Sequence, residues 1–95
     1  MTIGLVQVFG SITLESVGRV ARDTANLPED DTVVFDMGRV TEVDSTAVAQ
    51  LLHWIRVCQQ GNKQVRFRNM PESLLALADL YGVDAMLPVD VEGIA

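Results

Sequence analysis

The sequence predicts an α/β fold in which helices pack against a sheet containing parallel strand pairs. Three observations predict it. Strand-like and helix-like stretches alternate along the 95 residues, the pattern of a sheet built with crossovers. The run Val33-Val34-Phe35 is continuously apolar, which suits a strand covered on both faces. That run ends in Asp36, and after a short loop Asp44-Ser45-Thr46 opens an apolar helical stretch. A strand end and a helix start are thereby expected at one edge of the sheet, where partners and ligands of open α/β sheets meet.

The elements follow in order. Leu5, Val6, Val8 and Phe9 mark a first strand closed by Gly10. Thr13 suits the N-cap of a helix reaching about Ala25, with Glu15 in its first turn and Leu14, Val17, Val20 and Ala21 at helical spacing. Leu27-Pro28-Glu29-Asp30-Asp31 is a polar break. Thr32 to Met37 reads as the second strand. A helix from about Ser45 to Gln60 is stopped by Gly61-Asn62. Gln64 to Arg68 alternates polar and apolar, as a more exposed third strand does. Pro71 suits the first turn of a third helix, with Leu74, Leu77, Ala78 and Tyr81 as its stripe and Gly82 as its end. Val83, Met86 and Leu87 are expected to cover one end of the core, and residues 89–95 read as a tail. All 95 residues form one expected domain, residues 1–95.

Composition narrows the function. Hydrophobic residues make up 48% and charged residues 21%, enough apolar content for a core without metal or disulfide. The single cysteine, Cys58, excludes an internal disulfide and fits a reducing compartment. Met1-Thr2-Ile3-Gly4 has no basic character, so no signal peptide is expected. Apolar runs fall short of a membrane span. The expectation is a cytoplasmic domain without direct membrane insertion. A net charge of −6 argues against nucleic acid as a partner and leaves room for a protein with a basic face.

The catalytic inventory is thin. His53 is the only histidine and lies mid-helix. Cys58 has no activating base near it in sequence. One Cys and one His cannot supply a usual zinc set, and no phosphate-binding glycine motif is present. No catalytic residue, metal or cofactor is expected, and the chain is read as a non-enzyme. The triplet Asp44-Ser45-Thr46 has two readings, a plain helix cap or a site beside the helix dipole to which Asp36 adds a second acid. The helix from Ser45 divides into a core side, Val48, Leu51, Leu52, Ile55 and Cys58, and an outer side, Thr46, Ala49, Gln50, His53, Val57 and Gln60, with Trp54 near the border. Exposed helix faces are ordinarily rich in Glu and Lys. This outer side is nearly uncharged, so it is read either as an exposed face or, preferably, as a protein interface with Trp54 as a candidate anchor.

Several of these stretches together resemble the STAS domain, the fold of anti-sigma-factor antagonists and of small transporter subunits. They are the start Val8 to Thr13, the Val34-Phe35-Asp36-Met37 strand and the Val43-Asp44-Ser45 corner, within a match spanning roughly Val6 to Pro88. Leu51-Leu52-His53-Trp54-Ile55, Gln60-Gly61-Asn62, Leu77 to Val83 and Leu87-Pro88 look most like the small cytoplasmic STAS subunits of Mla-type phospholipid-transport ABC complexes. The resemblance implies a four-stranded mixed sheet with helices on one face, the first strand pair falling within residues 3–12. It also implies a non-catalytic subunit that binds and supports the ABC-transporter ATPase at the inner face of the inner membrane. The contact is expected at Asp44, Ser45, Thr46, Ala49, Gln50, His53 and Trp54. Thr46-Ala47 replaces the Gly-containing pair common in the family, so the helix start is bulkier. The alternative is an anti-sigma-factor antagonist whose partner is a serine kinase, with Ser45 as the phosphorylated residue.

Overall fold

The computed structural model describes residues 2–89. Strand β1 (Ile3–Ile12), helix α1 (Val17–Asp23), strand β2 (Thr32–Val43), helix α2 (Ser45–Gln60), strand β3 (Gln64–Arg68) and helix α3 (Glu72–Leu80) follow one another, then a short 3-10 turn (Asp84–Met86). The sheet order is β1-β2-β3 and both pairings are parallel. Each crossover steps to the next strand in one direction. With right-handed connections this puts the helices on one face of the sheet.

The expected fourth strand is absent among the described residues, and the sheet is parallel rather than mixed. A hairpin within residues 3–12 would need a two-residue reversal with its own left-handed geometry. Gly10 alone in that stretch has positive φ, 77°. It kinks the strand without turning it, and the stretch stays paired with β2 from Ile3 to Ile12. The far edge gains only a parallel bridge between Phe67 and Val89. Val89 is therefore not part of a tail; residues 90–95 lie outside the described residues.

β2 is longer than expected because it passes through two bulges. Gln7 pairs with Asp36 and Phe9 with Arg39; Gly10 pairs with Val40 and Ser11 with Glu42. Each time β2 carries one residue more than β1. At the first bulge the Gly38 N–H donates to Asp36 Oδ1 at 2.9 Å, and Asn69 Nδ2 donates to the same oxygen at 3.1 Å. Asp36 thus ties the bulge to the end of β3.

The core lies between sheet and helices. Val33, Phe35, Met37 and Phe67 meet Leu51, Trp54, Cys58, Leu74 and Ala78. Phe35 stacks on Trp54 at 4.5 Å between ring centroids and on Phe67 at 5.5 Å. The opposite face carries the cross-strand rows Ile3-Thr32-Gln64, Leu5-Val34-Arg66 and Gln7-Asp36-Arg68. No helix among the described residues covers it: Ile3, Leu5 and Phe9 are each at least half exposed. Val34 is nevertheless buried. Its flanking neighbours, Leu5 and the long Arg66 side chain, take the place of the second layer that the sequence suggested.

Two helices end in the same way. After α2 the left-handed residue is Asn62 (φ 57°), and the N–H groups of Asn62 and Lys63 donate to the carbonyls of Gln59 and Cys58. After α3, Gly82 (φ 74°) plays that part, with Gly82 and Val83 donating to Asp79 and Ala78. The helix α1 starts later than expected. The Ser16 hydroxyl accepts from Thr13 N–H and donates to the Ser11 carbonyl, and this local bonding holds residues 13–16 in a turn. Leu14 is therefore 76% exposed instead of core-facing. Ala21 is also exposed, and so is Met86, whereas Leu87 is buried as expected.

Candidate functional site

Asp44 sets the geometry at the head of α2. Its backbone is extended, and Oδ1 accepts from Thr46 N–H at 2.8 Å, the bond of an N-cap. Its other oxygen, Oδ2, accepts from Leu14 N–H at 3.0 Å. One carboxylate therefore joins the β1–α1 turn to the start of α2. The Leu14 N–H above all, with Thr46 adding to it, holds the carboxyl below the ordinary carboxylate range against an opposing desolvation. Asp44 is a helix cap and also a clip to the β1–α1 turn.

Asp36 does not join it. Its pKa is also lowered, by the Gly38 N–H and then Asn69, but it lies mid-strand on the uncovered face, paired with Gln7 and Arg68. Eight steps along the strand separate it from Asp44, roughly 26 Å at the rise of extended chain and somewhat less through the two bulges. The proximity of the two acids expected from sequence fails because β2 does not end at Met37.

Ser45, Ala49 and His53 are exposed and lie four residues apart on one edge of α2, with Thr46 half-buried beside them. Ala49 and His53 belong to the outer side that the helix pattern suggests; Ser45 joins them, and the exposed Arg56 shares the same edge. Gln50 and Trp54 are different: they are 6% and 2% exposed. The helix pattern placed Gln50 on the outer side because it allows for the sheet as the only neighbour. Here α1 packs on α2 as well and widens the buried arc. Trp54 Nε1–H donates to Thr24 Oγ1 at 3.1 Å, and Thr24 Oγ1 donates to the Val20 carbonyl at 2.8 Å. An indole fixed by that bond and by its stack on Phe35 is part of the framework.

A notch of about 200 Å³ opens where α1 meets α2. Ala21, Thr24, Ala25 and Leu27 line one side; Gln50, His53, Trp54 and Val57 line the other. Sequence reasoning missed the α1 half. The signal available was the run of small residues Gly18, Ala21 and Ala25, which lets a second helix come close. Gln50 Nε2 is buried and has no hydrogen-bond partner among the described residues. An unpaired buried amide ordinarily costs about 1–3 kcal/mol.

Cys58 is fully buried. Burial pushes its thiol up, opposed by the Lys63 charge. No group of three His, Cys, Asp or Glu side chains suited to a metal occurs among the described residues. Nor does any helix among them have the length and apolar character to cross a membrane.

Comparison with known proteins adds the family. Residues 4–88 match the family described as "Mlab, STAS domain". A stretch of 55 residues is 40% identical to the intermembrane phospholipid transport system binding protein MlaB of Haemophilus influenzae. That stretch covers 57% of this chain and spans about half, 52%, of the relative. Among solved structures, the unphosphorylated anti-sigma factor antagonist SpoIIAA superposes with a TM-score of 0.65 at 13% identity, over 90% of this chain and 77% of its own. A sulfate transporter family protein from Wolinella succinogenes gives 0.72 at 15% identity, over 92% and 75%. At such identities these two show the fold.

Proposed function

This chain belongs to the STAS domain family, and on that premise we propose that it is a non-catalytic subunit of a phospholipid-transport ABC complex, binding and supporting the cytoplasmic ATPase. The kinship to the MlaB protein carries the lipid-transport part of this reading. The exposed edge Ser45-Ala49-His53, small and uncharged toward the helix start with Arg56 further along, supports the docking part. Water-exposed helix edges without charge desolvate at low cost, and small side chains let a partner backbone approach. In this reading the domain works at the inner face of the inner membrane, held there by its partner, and the complex it serves maintains outer-membrane lipid asymmetry. It turns over no substrate of its own.

One observation favours a second reading. The Ser45 side chain is exposed in the first turn of α2, where a phosphate would gain from the helix dipole and face the Asp44 carboxylate. An anti-sigma antagonist switched by a serine kinase would use such a group.

Purification of the tagged chain from its native cell, with identification of what binds it, separates the two. Recovery of an ABC ATPase supports the first reading; recovery of a serine kinase with phosphate on Ser45 overturns it. Reconstitution extends the test. Ala49→Arg is expected to keep the fold and to abolish stimulation of the ATPase by steric and desolvation cost. Ser45→Ala is expected to weaken binding in a transporter subunit, through a lost contact of about 1 kcal/mol. In a phospho-switch it would bind constitutively. Nucleotide hydrolysis by the chain alone would refute the non-catalytic assignment.

A further inference from the structure

We propose that the outer edge of β1 is a self-association strand, two copies of the chain pairing antiparallel through Ile3–Gln7 about a two-fold axis at Leu5. The proposal does not rest on the docking reading of α2, which crosses from β2 to β3 and lies away from this edge.

The backbone shows which groups are open. Among the described residues no strand pairs with the outer side of β1. Thr32 N–H donates to the Thr2 carbonyl and Asp44 N–H to the Ile12 carbonyl, so the even-numbered residues of β1 turn their backbone groups toward β2. The odd-numbered residues turn theirs outward, because N–H and C=O of one residue in a parallel ladder share a side and successive residues alternate. Arg19 marks where the open stretch ends. Its Nη2 donates to the outward carbonyls of Phe9 and Ser11 at 3.2 and 3.3 Å. Ile3, Leu5 and Gln7 are left, all of them exposed. Sheet edges are ordinarily guarded by charge or proline; Ile3–Gln7 carries neither.

The occupant follows from symmetry and charge. The open groups are disposed evenly about Leu5. In antiparallel self-pairing Leu5 faces Leu5 and Ile3 faces Gln7 on both sides of the axis, each pair exchanging two N–H···O bonds. No outward group from Ile3 to Gln7 stays unpaired. On the uncovered face the Leu5 side chains, 52% exposed, meet across the axis. Such a contact is isologous and closes at two copies. Two chains of net charge −6 repel, and the antiparallel direction offsets this. Asp31, whose N–H donates to Thr2 Oγ1, lies at the end of the ladder where Phe9 of the other copy stands with Arg19 and Arg39. Asp31 is then about two strand spacings, ~10 Å, from that copy's β1. A parallel pairing would bring the two Asp31 ends together instead. The stretch is far shorter than the roughly 20–30 residues a side of a standard interface, so the dimer is weak and its population rises with concentration.

Sedimentation velocity of the full chain between ~10 μM and ~1 mM, the range of weak association, is expected to show a mean mass rising toward twice that of the monomer. Over the same range amide hydrogen exchange at Ile3, Leu5 and Gln7 is expected to slow at least 3-fold. Gly4, Val6 and Val8, whose N–H groups face β2, should keep their rates. Leu5→Lys, at an exposed position, sets two like charges across the axis. It is expected to leave circular dichroism native and to weaken the dimer at least 10-fold. Arg19→Ala is expected to free the Phe9 carbonyl and bring Phe9 opposite Ile3 of the other copy. The dimer then tightens at least 3-fold, and the slowed exchange extends to the Phe9 amide. If Leu5→Lys misfolds, Arg19→Ala decides. A chain that stays monomeric up to ~1 mM overturns the proposal. So does a dimer that Leu5→Lys leaves intact, or one whose affinity and exchange pattern Arg19→Ala leaves unchanged, since either result places the contact on another surface.

Discussion

Deleting the Thr24 hydroxyl should destabilise the domain by more than the size of the group suggests. Thr24 is 8% exposed, and its Oγ1 is the acceptor for Trp54 Nε1–H at 3.1 Å. Thr24→Val keeps the shape and removes the acceptor. The Val20 carbonyl loses little, since it still accepts from the Thr24 backbone N–H. The indole N–H, in a residue only 2% exposed, is left unpaired at a cost of about 1–3 kcal/mol. Trp54→Phe removes the donor instead and leaves unfilled volume, about 1 kcal/mol for a few tens of Å³, beside a hydroxyl that still donates to Val20. In the double variant neither partner is orphaned, so the combined loss should fall short of the sum by about 1 kcal/mol. Urea unfolding followed by far-ultraviolet circular dichroism measures all four proteins and does not depend on the tryptophan. A domain of this size melts ~4–8 °C lower per kcal/mol, so thermal melts give a second measure. Additivity within ~0.3–0.5 kcal/mol, or a Thr24→Val protein as stable as the native one, would show that the bond does not hold α1 to α2.

The folded state holds the Asp44 carboxyl below its unfolded pKa. Its contribution is therefore present above about pH 4 and lost as pH falls through the folded pKa; Asp44→Asn, which keeps an acceptor, should flatten acid unfolding curves in that window. The buried Cys58 thiol, pushed up by burial, should resist a thiol-specific reagent at neutral pH in the native protein and react at once in urea; equal rates in both states would contradict its burial. Gly4 has no room for a methyl group, because a Cβ there would collide with the Pro28 ring and crowd Asp30; Gly4→Ala should cost about 1–3 kcal/mol in urea unfolding.

Legibility in the sequence followed the locality of the signals. The bounds of α2 and β3 could be read because Asp44 caps and Gly61-Asn62 stops within a few residues of the ends they set. The end of β2 could not. Asp36 and Gly38 look like a terminus, and only the pairing across from Gln7 and Phe9 shows that they form a bulge. The first strand was read as ending at Gly10 for the same reason. At the candidate site, Ala49 and His53 are found on one exposed edge because helical spacing alone determines that. Gln50 and Trp54 were placed facing outward or at the border, and α1 covers both. The notch needs residues from α1 and the segment after it together with α2, about thirty positions apart in sequence, and no pattern within either stretch encodes it.

The uncovered sheet face divides the molecule electrically. Its rows carry Arg66 and Arg68 against Asp36, and Arg39 sits 5.8 Å over the Phe9 ring. Three of the seven basic residues thus lie on that side with two acids, Asp36 and Glu42, leaving four cations and nine acids among the other described residues. The shortest dimension of the domain is 22 Å, more than two screening lengths at physiological salt, each ~8 Å. The uncovered face therefore carries a charge near zero, and the rest of the described molecule is net negative. An approaching basic surface feels a torque before it feels contact, and the torque turns the helix side, with α2, toward it. Orientation is selected at a distance, so the association rate of such a surface should fall with added salt more steeply than the rate at which the complex comes apart rises.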